Sequence, residues 1–138
     1  MPERILIILA VAAAVMVTVA IVRASTARRM AAIVQAGPVW DTLGDRPDGR
    51  RTVVAFSSPS CAACHHAQAP ALEKVKQAVG VAEVRVIHVD AASRPEVARA
   101  FGVMTVPSTV VLAPSGHVVA INQGFAASSR LIEQLARA

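Results

Sequence analysis

Residues 52–66 read TVVAFSSPSCAACHH, and the fold is decided by how this stretch passes from one kind of pattern to another. Thr52 to Phe56 is a short apolar run rich in β-branched residues, the signature of a buried strand. Ser57-Ser58-Pro59-Ser60 ends it with turn chemistry. From Cys61 to Val79 the spacing turns helical, with Leu72, Val75 and Val79 on one face and Gly80 placed to cap the C-terminus. A strand that feeds directly into a helix is the opening of a βαβ unit.

The pattern continues outward in the same manner. Val84 to Asp90 (VRVIHVD) is a second β-branched run, and Pro95 at a first-turn position opens a short helix over Glu96 to Phe101, ended by Gly102. Ser108 to Ala113 and Val118 to Ile121 flank Pro114-Ser115-Gly116, which is hairpin chemistry. A last helix is expected from about Ser129 to Arg137, with Leu131, Ile132 and Leu135 facing inward. The resulting order is that of an α/β fold with a mixed central sheet flanked by helices.

Toward the N-terminus, Ile5 to Val22 is uncharged and apolar apart from Thr18. As a helix it would extend roughly 27 Å, close to the hydrocarbon thickness of a bilayer. Signal peptides have shorter apolar regions of about 7 to 15 residues before a small-residue cleavage site, for which Ser25-Thr26-Ala27 is a weak match. Arg23, Arg28 and Arg29 instead resemble a stop-transfer flank, so one N-terminal transmembrane helix is expected. The expected domains are an anchor at 1–23, a juxtamembrane segment and linker at 24–51, and the α/β domain at 52–138. Within the linker, STARRMAAIVQA continues the helix pattern, Gly37-Pro38 and LGDRPDGRR are breakers, and Trp40 reads as a plug over the domain's edge. The three arginines place the domain on the cytoplasmic side by the positive-inside rule.

Composition excludes several functions. The chain of 138 residues has room for one domain and an accessory segment. Its net charge of +5 comes from scattered basic residues, almost all arginine, and aromatics make up only 3 % with no Tyr. Without interleaved stacking platforms, a nucleic-acid surface is not expected. The only two cysteines are three apart, so they are no structural disulfide framework.

At a strand exit that opens a helix, Cys61 gains the unpaired N–H groups and the positive helix end that stabilise a thiolate, while Cys64 is one turn in. Cys61 is the expected nucleophile and Cys64 the resolving thiol. His65, four residues from Cys61, is a candidate tuner of that thiolate or a solvated surface histidine. His88 and His117 read as structural or exposed. The motif also spells C-x-x-C-H, which attaches c-type haem, with His65 and Met104 as the conceivable axial pair; the surrounding strands argue against it. A zinc site from both cysteines, His65 and His66 is disfavoured, because adjacent helical residues point about 100° apart. No metal and no cofactor are expected.

The pair, together with Met104-Thr105-Val106-Pro107-Ser108-Thr109 and the element order, is similar to the thioredoxin family over Thr52 to Ala138. The resemblance implies a thioredoxin-like fold and thiol-disulfide exchange with protein thiols or disulfides, fed by an electron donor or acceptor. It also implies a cis Pro107 beside the cysteines, a Val106 backbone that pairs with substrate, and Gly124 keeping that surface open. Anchored relatives often work outside the cytoplasm, which stands against the charge rule, so the side of the membrane stays open. Four positions depart from the family pattern: Ser60 replaces the Trp before the first cysteine, Ala62-Ala63 replaces Gly-Pro, and Ala55 replaces a buried acid. A narrower substrate range follows from these changes. A non-catalytic assembly factor on the same fold is the remaining alternative.

Overall fold

The computed structural model describes residues 2–35 and 39–138. The chain divides into two compact units, Met1–Ala32 and Ile33–Ala138. Helix α1 (Pro2–Gln35) carries the apolar run and continues without a break through the Ala/Arg stretch. Its segment Ile5–Ser25 is long and apolar enough to cross a membrane, and every side chain along it is exposed. That length, composition and place fit a membrane span or a signal sequence. The Gly37-Pro38 break and the side chains of Arg28 and Arg29 lie outside the described residues.

In the second unit, a short helix α2 (Val39–Leu43) precedes strand β1 (Arg51–Ser57). A π-helical segment, Cys64–Gln68, leads into α3 (Ala69–Val79), followed by β2 (Val84–Asp90) and α4 (Pro95–Ala100). Strands β3 (Ser108–Leu112) and β4 (Val118–Gln123) form the hairpin, and α5 (Ser128–Leu135) closes the chain. The sheet order is β2-β1-β3-β4, with β1 parallel to β2 and antiparallel to β3. This is the mixed sheet that the sequence implies.

Strand β1 is central and covered on both sides, which is why it reads as a continuous apolar run rather than an alternation. Val54 and Phe56 face one way, into a core with Trp40 and Leu43 of α2, Val97 and Phe101 from the α4 side, and Val110 and Leu112 of β3. Val53 and Ala55 face the other way, toward Leu72, Val75, Leu131 and Leu135. Phe56 and Phe101 are each 1 % exposed, with ring centroids 5.8 Å apart. Burying a side chain of that size contributes about 1.5–3 kcal/mol. Trp40 thus packs into the core beneath the hairpin turn, where a Cβ added to Gly116 would lie 2.8 Å from its Nε1.

The wide turn at Cys64–Gln68 has a local cause. Pro70 offers no N–H, and in an α-helix its ring would press on the carbonyl of His66. Just before it the chain widens, the Ala69 N–H reaching back five residues to the carbonyl of Cys64. Such single π turns are frequent at functional sites.

Candidate functional site

The register brings three separate chain segments to one end of the sheet. Phe56 pairs with Ser108, and Ser108 pairs with Gln123. The Cys61 loop after β1, Pro107 before β3 and Gly124 after β4 therefore emerge at that same end. Ser57 also pairs with Asp90, so the connection from β2 to α4 joins them.

Cys61 and Cys64 form a disulfide with their Cα atoms 5.3 Å apart. Cys61 is half-buried and Cys64 only 5 % exposed. The Cys61 N–H donates to the carbonyl of Ser58 at 3.1 Å, which folds the Ser58-Pro59-Ser60 turn back under the cysteine. The Cys64 N–H donates to the Sγ of Cys61, also at 3.1 Å. Backbone donors of this kind favour negative charge on that sulfur once the disulfide opens.

His65 is exposed, and its Nε2 lies 3.3 Å from the carbonyl oxygen of Pro59. An oxygen of this kind only accepts, so Nε2 carries the proton and Nδ1 is the nitrogen left for other partners. Met104 is 79 % exposed in the loop ahead of Pro107. Among the described residues, no three His, Cys, Asp or Glu side chains converge as a metal site requires. His88 and His117 are both exposed.

The Val106-Pro107 peptide bond is cis. Among the described residues, neither the N–H nor the C=O of Val106 has a hydrogen-bond partner. Gly124 adopts φ +81°, a conformation that favours glycine, and a Cβ there would meet nothing within 4 Å. On the α4 side of Val106 lies an open groove of about 340 Å³, bordered by Ser58, Ala92, Pro95, Arg99 and Met104.

Two glutamines that sequence reasoning passed over frame this end of the molecule. Gln68, four residues after Cys64 and 3 % exposed, accepts from the Ala126 N–H at 2.9 Å and donates to the Ala126 carbonyl at 3.1 Å. Gln123 reaches the loop before Pro107, with Oε1 accepting from the Met104 N–H at 3.1 Å and Nε2 donating to the Gly102 carbonyl at 2.7 Å. Below the site, Asn122 and Gln134 exchange two amide hydrogen bonds of 2.8 Å, and Asn122 also donates to the Thr109 hydroxyl. Ala55 pairs with Thr109, so this buried polar row crosses the sheet beside the position where Ala55 stands in place of the family's buried acid.

Comparison with known proteins adds to this geometry. Solved structures similar in fold include Fasciola hepatica thioredoxin, at 29 % identity and TM-score 0.54 over 64 % of this chain and 81 % of that one. Mitochondrial thioredoxin 3 of Saccharomyces cerevisiae in its oxidised form matches at 19 % identity and TM-score 0.55, over 72 % and 86 % of the two chains. Thioredoxin-2 of the malaria parasite, described as a component of its protein secretion machinery, matches at 24 % identity and TM-score 0.58, over 64 % and 84 %. No curated protein sequence matches significantly. The Thioredoxin family model matches residues 45–137, which takes in the cysteine pair, the Pro107 loop and Gly124. Members of that family act as thiol-disulfide oxidoreductases, and with its close cysteine pair on this sheet the chain belongs to the thioredoxin family.

Proposed function

We propose that this protein is a membrane-tethered thiol-disulfide oxidoreductase that exchanges disulfides with protein substrates through Cys61-Ala62-Ala63-Cys64. In the reducing direction, the Cys61 thiolate attacks one sulfur of a substrate disulfide, forming a mixed disulfide and expelling the other substrate sulfur as a thiolate. Cys64, once deprotonated, attacks the Sγ of Cys61, releases the second substrate thiol and leaves the Cys61–Cys64 disulfide. Two electrons pass from the pair to the substrate; the reverse sequence oxidises a substrate dithiol. A separate donor or acceptor of electrons resets the pair.

The observation that carries this reading is the disulfide at the exit of β1, with the Cys64 N–H directed at the Sγ of Cys61. Half-exposed Cys61 suits attack, and buried Cys64 suits resolution. The unpaired Val106 backbone supports docking of an extended substrate segment beside Pro107, with Gly124 leaving room opposite. His65 is assigned a local part, carrying protons at Nδ1. The domains are an anchor at 1–23, a juxtamembrane connection at 24–51 whose α2 packs on the fold, and the redox domain at 52–138. The anchor crosses the cell membrane once through residues 5–22, and Arg23, Arg28 and Arg29 favour a cytoplasmic domain.

A Cys64→Ala variant of the full chain tests the assignment. Mixed disulfides with partner proteins should accumulate in the membrane fraction, disappear on reduction, and be far fewer in Cys61→Ala. More trapping through Cys64 than through Cys61 would reverse the two roles.

A further inference from the structure

The segment between α4 and β3, residues 101–107, belongs to no helix or strand, yet it carries Val106, whose backbone N–H and C=O have no hydrogen-bond partner among the described residues. It is secured at its start by the Gly102 N–H on the Arg99 carbonyl (3.0 Å) and the Val103 N–H on the Ala98 carbonyl (2.8 Å). At its end the Ser108 hydroxyl donates to the Thr105 carbonyl at 2.7 Å. Between these points, the Met104 N–H and the Gly102 C=O have a single hydrogen-bond partner among the described residues, the side-chain amide of Gln123.

The orientation of that amide is fixed by its partners. A backbone N–H only donates and a carbonyl only accepts, so Oε1 must face Met104 and Nε2 must face Gly102. The Ser108 hydroxyl, 3.3 Å from the same Oε1, has one proton and gives it to the nearer Thr105 carbonyl. Both ends of the amide are thus committed to one loop. A carboxylate in its place would put an oxygen against the Gly102 oxygen, and an asparagine would fall a methylene short.

Gln123 is exposed, where a hydrogen bond contributes little to stability because water competes for both groups. What the amide does fix is the path of the loop two residues before Val106. Gln123 is also the last residue of β4 and the neighbour of Gly124, so one side chain links the two segments that flank the docking edge.

Resting on the function proposed above, we infer that Gln123 is a positioning residue: it holds the Val106 edge in place for an extended polypeptide and so separates polypeptide disulfides from small ones. A small disulfide needs only the sulfur of Cys61. A polypeptide must also form strand-like hydrogen bonds with Val106, and it loses them when the loop wanders.

The test uses the full chain in detergent micelles, reduced beforehand, with wild type, Gln123→Leu and Gln123→Glu compared. Two probes are used, a synthetic peptide carrying one disulfide within an extended segment, and hydroxyethyl disulfide. In Gln123→Leu the ratio of peptide to small-disulfide kcat/KM should fall about ten-fold, mainly through KM, as expected when uniform binding is lost. Gln123→Glu, which keeps the acceptor for Met104 and loses the donor to Gly102, should fall between. An unchanged ratio, with a wild type that exchanges with the peptide, overturns the positioning role and leaves the proposed function standing. An equal fall with both probes overturns it as general damage to the site. A wild type that exchanges with neither probe overturns both.

Discussion

Replacing Gln68 by methionine keeps the volume of a buried side chain and deletes both hydrogen bonds that join the cysteine-bearing helix to Ala126, 58 residues away in sequence. Ala126 is 1 % exposed, and its N–H and C=O would be left in the dry interior beside Leu131 and Leu135. A buried backbone group deprived of its partner costs about 1–3 kcal/mol, so two orphans cost about 2–6 kcal/mol. Methionine recovers part of this by burying apolar surface in place of an amide, leaving a net loss of about 2–4 kcal/mol. For a domain of this size each kcal/mol moves the midpoint by about 4–8 °C, which predicts a fall in Tm of roughly 8–32 °C. Thermal unfolding followed by circular dichroism, on the oxidised full chain in micelles, measures it. A midpoint within about 2 °C of wild type would refute the reasoning, since it would mean that Ala126 finds other partners or water at no cost.

Two further outcomes follow from the structure. In the segment after α2, hydrogen bonds from the Arg85 guanidinium and then the Arg46 N–H hold the Asp45 carboxyl below 3.8, and Arg50 does the same for Asp48. The unfolded chain binds protons first, so the contribution is present above that value and is lost as pH falls through the lower native pKa. Tm should therefore decline on the acid side, and Arg85→Ala should flatten the part of that decline due to Asp45; parallel curves would exclude a role for the Arg85–Asp45 pair. Gly116→Ala combines φ +87° with a Cβ 2.8 Å from Trp40 Nε1, and should cost about 1–3 kcal/mol. Because Trp40 is the one tryptophan of the chain, a red shift of its emission checks the displacement, and an unshifted spectrum with unchanged Tm would contradict it.

The elements were legible where a single local rule decides them. The runs TVVAF and VRVIHVD are β-branched and bounded by breakers, and β1 and β2 follow them to within a residue or two. The cysteine pair was legible because strand, turn and helix meet at it. Gln68, Gln123, Asn122 and Gln134 were not, because each acts through a partner 12 to 58 residues away that leaves no periodic trace. The segment read as linker also hid α2, whose five residues are too few for a helical period while Trp40 and Leu43 still enter the core. The π turn was hidden in a pattern that counts residues at 3.6 per turn, although Pro70 is the visible sign of a disturbed ladder.

The sheet order also bears on how the protein is made. The cysteines lie in the crossover that joins the parallel strands β1 and β2, whereas Val106, Pro107 and Gly124 belong to the later β3-β4 half. During synthesis the first half leaves the ribosome before the second, and cysteines three residues apart can meet without it. On the function proposed above, the exchanging sulfurs then precede the edge that docks a substrate: that edge is complete only when β3 closes on β1, so the last third of the chain governs a reactivity encoded in the middle.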